Sequence, residues 1–313
     1  MNTPTRRTFL LRTSAWLGLG LGVRSIGRAQ SAKSAQPPVV PEFKPLRRGT
    51  GYFTARGGTI GWLVNTQAVA AVDTQFPETA RLFLEGLPGR SGRKLDVLVN
   101  SHHHGDHTGG NGVFQPVTRS IVAHVNVPRL QRERAQRDNT LERQTYADTT
   151  FAESWRKDVG DEIVSAKYHG PAHTGGDVVA HFERANVVHM GDLVFNRMYP
   201  VIDRPGGARI RGWIGVLEAV AKAYAADTVF IFGHGNPKFG VTGKRDDLLV
   251  LRDYLAGLLA HVEKRIQAGE PKERIVALDN LPGFPDFHVA PGPQNRLPLN
   301  LGVAFDELTG KEG

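Results

Sequence analysis

From about Gly51 the chain alternates short apolar runs with clusters of turn-forming residues. Thr59–Val64 and Ala68–Asp73 are two such runs, and the Asn65-Thr66-Gln67 break between them predicts a hairpin. Pro77–Leu87 spaces Ala80, Leu82, Phe83, Leu84 and Leu87 as a helix opened by proline. Leu95–Asn100 and Ile121–His124 read as buried strands, and residues 128–158, polar and arginine-rich, as exposed helix. In the second half, Glu162–Tyr168, Val178–Glu183, Asn186–His189 and Thr228–Phe232 read as strands and Gly212–Ala225 as a helix. Asp246–Ala268 is the longest amphipathic segment, with Leu248, Leu251, Leu255, Leu258, Leu259 and Val262 on one face. The proline-rich tail from Leu281 to Pro298 is expected to cover a cleft. Strands at the start of each half followed by helices predict an α/β sandwich, two sheets packed together with helices outside.

The N-terminus departs from this pattern. Thr5-Arg6-Arg7-Thr8-Phe9-Leu10-Leu11 precedes an apolar stretch ending near Val23, then Gly27-Arg28-Ala29. A charged start, a modest apolar run and small residues at a cleavage point describe an export signal, and the arginine pair resembles a twin-arginine signal. Arg12 interrupts the run, which falls short of the roughly 20 apolar residues of a spanning helix. The expectation is residues 1–29 as signal peptide, 30–48 as linker and 49–313 as one domain, periplasmic and without stable membrane insertion once cleaved. An uncleaved signal would instead anchor the chain.

Export changes the meaning of the charge. The 313 residues carry a formal net charge of +8. Residues 1–29 contain five arginines and no acid; without them 34 basic side chains face 31 acidic ones, a net of +3. That balance argues against a nucleic-acid partner. The chain has no cysteine, so a metal site must be built from imidazole, carboxylate or backbone oxygen.

The densest chemistry is His102-His103-His104-Gly105-Asp106-His107, directly after the Leu95–Asn100 strand. His102 and His104, two apart in an extended segment, point to one side. Asp106 and His107 follow the turn at Gly105 and can face a second ion. A solvated histidine loop explains neither the aspartate nor the apolar strand before it.

This pattern resembles the His-x-His-x-Asp-His signature of the metallo-β-lactamase superfamily, with His103 and Gly105 in the free positions. The resemblance implies the four-layer αββα sandwich of that family and three further ligands in order: His173 in Gly170-Pro171-Ala172-His173-Thr174, Asp192 in His189-Met190-Gly191-Asp192, and His234 in Phe232-Gly233-His234-Gly235. It implies that His102, His104 and His173 hold one ion, that Asp106, His107 and His234 hold another, and that Asp192 bridges them. Two zinc ions are the expected cofactor, while iron or manganese also suit these donors. Two ions about 3.5–4 Å apart share a hydroxide nucleophile and polarise a carbonyl. Asp106 and Asp192 are then the catalytic carboxylates, Asp106 orienting the nucleophile or passing a proton to the leaving group. Among the other histidines, His103 is expected beside the ligands or at the surface, and His189 in the core.

An aspartate at 192, where zinc β-lactamases typically carry cysteine or serine, resembles the glyoxalase II and lactonase groups. The expected reaction is hydrolysis of a small thioester, lactone or related cyclic ester or amide. Tyr199 is a candidate oxyanion donor. Arg197, with Arg204, Arg209 and Arg211, is a candidate grip on a substrate carboxylate, or else part of a solvated basic loop. The alternatives are β-lactam hydrolysis, a mononuclear iron oxygenase resembling persulfide dioxygenases, and a non-enzymatic metal-binding accessory protein of a redox system.

Overall fold

The computed structural model describes residues 40–287 and 295–311. The expected signal peptide and most of the expected linker lie outside them. The linker's end does not: Glu42–Pro45 forms strand β1, paired antiparallel with β2 (Thr50–Thr54). The expected linker boundary at residue 48 therefore moves into the sheet.

The first sheet continues with β3 (Ile60–Val64), β4 (Val69–Val72), β5 (Val97–Val99), β6 (Ile121–His124) and β7 (Thr149–Phe151) in chain order, antiparallel as far as β4 and parallel beyond it. The hairpin between β3 and β4 forms as expected, because Asn65 Oδ1 accepts from the amides of Gln67 (2.9 Å) and Ala68 (2.7 Å) and closes the turn. The second sheet contains β8 (Ser154–Val159), β9 (Glu162–Tyr168), β10 (Val178–Phe182) and β11 (Val187–His189). Next come β12 (Phe195–Asn196), β13 (Val229–Ile231), β14 (His234–Gly235) and β15 (Thr242–Gly243); β13 and β15 complete the second sheet, and β12 pairs with β14 separately.

Burial on both faces explains why the central strands read as continuous apolar runs. In β4, Ala70 and Val72 face the second sheet and pack with Val178, Ala180 and Val187, while Val69 and Ala71 face outward onto Ala80 and Phe83 of α1 (Pro77–Gly86). After α2 (Gly105–Thr108), α3 (Asn111–Phe114) and α4 (Asn126–Arg137) come α5 (Ile210–Ala223) and α6 (Arg245–Gln267), the opposite outer layer, which Val179 of β10 faces. Three apolar clusters separate four layers, the expected αββα sandwich. Leu248, Leu251, Leu255, Leu258 and Val262 of α6 are each at most 1% exposed. At about 1.5–3 kcal/mol per buried side chain, this face outweighs the α6 N-terminal cap, where Asp247 accepts the Lys244 amide at 2.8 Å.

One expectation fails. Residues 128–158 are not one helix: the helical part is Asn126–Arg137, and Thr149–Phe151 and Ser154–Val159 are strands. In Ser154–Val159 the period of two survives only as half-burial of Trp155 and Lys157 between exposed neighbours, and edge placement accounts for the charged composition. Of the proline-rich tail, residues 288–294 lie outside the described residues, and at its end Pro298 opens a helix, Leu297–Leu308, that the sequence had not announced. Leu297, Leu301 and Ala304 bury one stripe of it in the same cluster as α6.

Candidate metal centre

The site assembles where the two sheets meet. Parallel pairing of β4 with β5 brings the Asp73 and His102 loops together, and parallel pairing of β11 with β13 does the same for the Asp192 and His234 loops. Backbone hydrogen bonds join the two pairs: the Val178 amide donates to Ser101 O (2.8 Å) and the Thr59 amide to Gly233 O (2.9 Å). Four chain segments far apart in sequence thus meet on rigid strand ends.

His102, His104, His173 and Asp192 each present a donor atom within 4.8 Å of the others, and Asp106, His107 and His234 do the same. Asp192 stands between the groups. Its Oδ2 lies 3.9 Å from His102 Nε2 and 3.6 Å from His173 Nε2; its Oδ1 lies 3.0 Å from His107 Nε2 and 3.4 Å from His234 Nε2. All seven residues singled out by the sequence are therefore together.

The second ring nitrogens reveal what the first ones offer. His173 Nδ1 faces the Val201 carbonyl at 2.8 Å, and His104 Nε2 faces the Asp203 carboxylate at 2.9 Å. Both partners only accept, so each of these nitrogens carries the proton. In neutral rings, His173 Nε2 and His104 Nδ1 are then bare lone pairs, yet they face each other at 3.1 Å. Such an approach requires a proton or a cation between them. His107 Nδ1 donates to Asp73 Oδ2 (2.7 Å), and His102 Nδ1 to Ser101 Oγ (3.0 Å), whose own proton goes to Asp73 Oδ2 (2.7 Å). His102 Nε2 is left buried with no hydrogen-bond partner among the described residues, and His107 Nε2 and Asp192 Oδ1, though 3.0 Å apart, are not aligned for a hydrogen bond. Buried orphans on nitrogen and carboxylate oxygen fit divalent cations.

The electrostatics divide the site. Burial holds the His173 ring at about 3 and the His102 ring well below the ordinary imidazole value, with neighbouring rings adding to the effect. Burial also opposes charge on His107 and His234, but the Asp192 and Asp106 carboxylates outweigh it, raising His107 well above the ordinary value and His234 to about 10. Asp192 is correspondingly held well below the usual carboxylate range: burial opposes its charge, and His234 and His107 more than offset that.

Asp73 and Asp203 were not legible as site residues. Asp73 is fully buried, adopts φ 68° and receives hydrogen bonds from His107, Ser101 Oγ and the Ser101 amide (2.7 Å). Its only sequence signal is a charge at the end of an apolar strand. Asp203 anchors His104 and lies 3.4 Å from His103 Nε2, so His103 sits buried beside the ligands rather than at the surface. His189 is a core residue, bonded through Nε2 to Thr59 O and accepting the Gly191 amide at Nδ1.

Two glycines let the loops close: a Cβ on Gly233 would overlap Asp192 Oδ1, and one on Gly58 would overlap the His107 ring. Phe195 stacks on His234 at 5.2 Å.

A cleft of 490 Å³ opens beside both groups, with His103, His104, Asp106 and Asp203 in its wall. Neither Tyr199 nor Arg197 lines it. Tyr199 is packed against Tyr254 and Phe287, with 3% of its surface exposed. Arg197 donates to Asp247 (2.7 Å) and Asn196 (2.6 Å) and stacks on Phe239. Arg204 approaches Glu307 at 3.8 Å and donates to the Ala208 and Lys311 carbonyls.

Fold and site together define a sandwich of the metallo-β-lactamase type, and the chain belongs to that superfamily: the family model described as metallo-beta-lactamase superfamily matches residues 54–257. A type 2 metallo-beta-lactamase from Elizabethkingia meningoseptica is 23% identical over 187 residues, 56% of this chain and 68% of that protein. The alpha subunit of a 2,4-dinitroanisole O-demethylase from a Nocardioides species is 27% identical over 129 residues, 41% of this chain and 38% of that one. Among solved structures, a stereoselective inverting sec-alkylsulfatase from Pseudomonas sp. superposes with TM-score 0.65 at 16% identity, covering 87% of this chain and 50% of the sulfatase. A metallo-beta-lactamase from Pontibacter korlensis superposes with TM-score 0.57 at 18% identity, covering 69% of this chain and 99% of that one. At these identities the solved structures share the fold.

Proposed function

We propose that this chain is a hydrolase that holds two divalent cations, zinc by donor preference, and opens a small thioester, lactone or related cyclic ester or amide. The observation carrying the reading is Asp192, which turns one carboxylate oxygen toward each histidine group. His102, His104 and His173 would hold one ion, and Asp106, His107 and His234 the other. The pair supplies Lewis acidity and activates water near neutral pH.

The chain's own residues do the rest. Asp73 and Asp203 hold the His107 and His104 rings in the tautomers that expose lone pairs, and Asp192 keeps the two groups in register. Asp106, in the cleft wall and 3.1 Å from His234, is placed to orient an attacking water or return its proton to a leaving group. The twin-arginine-like start and periplasmic location belong to the same proposal, since folding around a metal before export suits that route.

Metal analysis of the purified protein tests the reading, with a substrate panel of thioesters, lactones, a chromogenic cephalosporin, alkyl sulfates and aryl ethers, the last three taken from the relatives' names. Two equivalents of zinc, turnover on one carbonyl class and joint loss of both in Asp192→Ala are expected. Full activity in Asp192→Ala would make the two-ion assignment wrong. One equivalent of iron with oxygen uptake on a persulfide would replace the hydrolase by an oxygenase.

A further inference from the structure

The cleft beside the candidate metal centre contains a cation whose charge no side chain among the described residues balances. Arg134 and Arg296 both line it. Arg134 is engaged: its Nε donates to Asp138 Oδ2 at 2.7 Å. The acids in the wall are also taken, Asp106 by His107 and His234 and Asp203 by His103 and His104. Arg296 is half-buried at the start of the Leu297–Leu308 helix, and its guanidinium has no hydrogen bond or ion pair among the described residues. The helix is anchored by buried Leu297 and Leu301, so the guanidinium stands on a fixed support. In the same wall Gln131, 3% exposed, donates from Nε2 to Gln144, while its buried Oε1 has no partner among the described residues.

We infer that Arg296 binds a carboxylate on the substrate, so the compound hydrolysed is an acyl derivative bearing a free acid away from the scissile bond. A guanidinium grips a carboxylate with two parallel hydrogen bonds, which fixes orientation as well as charge. A half-buried position limits competition from water. The inference deepens the hydrolase reading and rests on it for the scissile bond alone. Arg296 lies outside residues 54–257, the part matched by the family model, so this selectivity belongs to the C-terminal segment and not to the shared core.

The test pairs the S-phenyl thioester of succinic acid, with its carboxylate free, against the same thioester capped as a methyl ester, using the metal-loaded full chain. The wild type should prefer the free acid by about 10- to 100-fold in kcat/KM, mainly through KM. Arg296→Gln should abolish that preference while turnover of the capped ester stays within about twofold, and Arg296→Lys should restore part of it. Arg197→Gln, at the arginine the sequence favoured, should leave the preference unchanged. Equal losses on both esters, or an intact preference in Arg296→Gln, would overturn the inference. If the wild type cleaves neither ester, the hydrolase reading loses its support, and calorimetric binding of succinate decides the question for Arg296. Binding weakened about tenfold or more by Arg296→Gln upholds the anion site, and unchanged binding sinks it.

Discussion

Replacing Asp73 by asparagine isolates the contribution of a residue that touches neither proposed ion. Asp73 accepts three hydrogen bonds, all at 2.7 Å, from the Ser101 amide, Ser101 Oγ and His107 Nδ1. Asparagine retains one acceptor oxygen and adds an amide NH2. With that NH2 at the Oδ1 position it opposes the Ser101 N–H; at the Oδ2 position it opposes His107. The second arrangement is relieved if His107 moves its proton from Nδ1 to Nε2, the nitrogen that faces Asp192 and Asp106. A protonated Nε2 cannot ligate a metal, so the group of Asp106, His107 and His234 should weaken selectively. Loss of such an outer partner typically costs 10- to 100-fold in metal affinity, about 1.4–2.7 kcal/mol. Competitive titration against a chromophoric chelator resolves two successive zinc affinities. The weaker step should move by that factor in Asp73→Asn while the other shifts less, with near-native circular dichroism. Two affinities identical to wild type would refute the tautomer argument, and equal weakening of both steps would show that the Ser101–His102 branch matters as much.

Gly233→Ala should lower metal content on the order of tenfold or more in affinity, because its Cβ overlaps the Asp192 carboxylate; metal analysis after dialysis reads this, and full loading would mean that the loop can move aside. Metal uptake should release up to about two protons per chain near pH 7, since His107 is raised well above its ordinary value and His234 to about 10, whereas His102 and His173 are already neutral. Apparent zinc affinity should therefore rise with pH from neutrality toward 10, and calorimetry in buffers of different ionisation heat that detects no proton release would contradict the assignment of charge. Tyr254→Phe removes the hydroxyl that accepts from Asn300 Nδ2 at 3.1 Å, stranding a buried donor; a loss of about 1–3 kcal/mol in urea unfolding is expected, and none would mean that Asn300 finds another partner.

The ligand set was legible because metal chemistry restricts residue type and strand ends restrict spacing. His102, His104, Asp106 and His107 announce themselves within six positions, and each of His173, Asp192 and His234 adjoins an apolar run. The layers were legible for a similar reason, since a strand buried on both faces must be apolar throughout. Residues 128–158 were misread because an edge strand such as Ser154–Val159 shows water so much of its surface that the period of two disappears into charge. The helix at Leu297–Leu308 went unassigned because its apolar stripe is short and proline-rich sequence runs into it, although proline also opens helices.

Local sequence by itself determined the donor types, the strand and helix periods of the core and the order in which the ligands arrive. Tertiary structure alone decided which nitrogen of each ring faces the site, since that depends on acceptors such as Asp73, Val201 and Asp203, which are up to 99 residues from the ring they orient. It likewise decided which of the candidate arginines is neutralised by a neighbour. Arg197 lies five residues after Asp192 yet is neutralised by Asp247, while Arg296, more than a hundred residues away, stands unpaired in the cleft among the described residues. Sequence proximity says nothing about such pairing, because a charge is satisfied by whatever the fold packs against it.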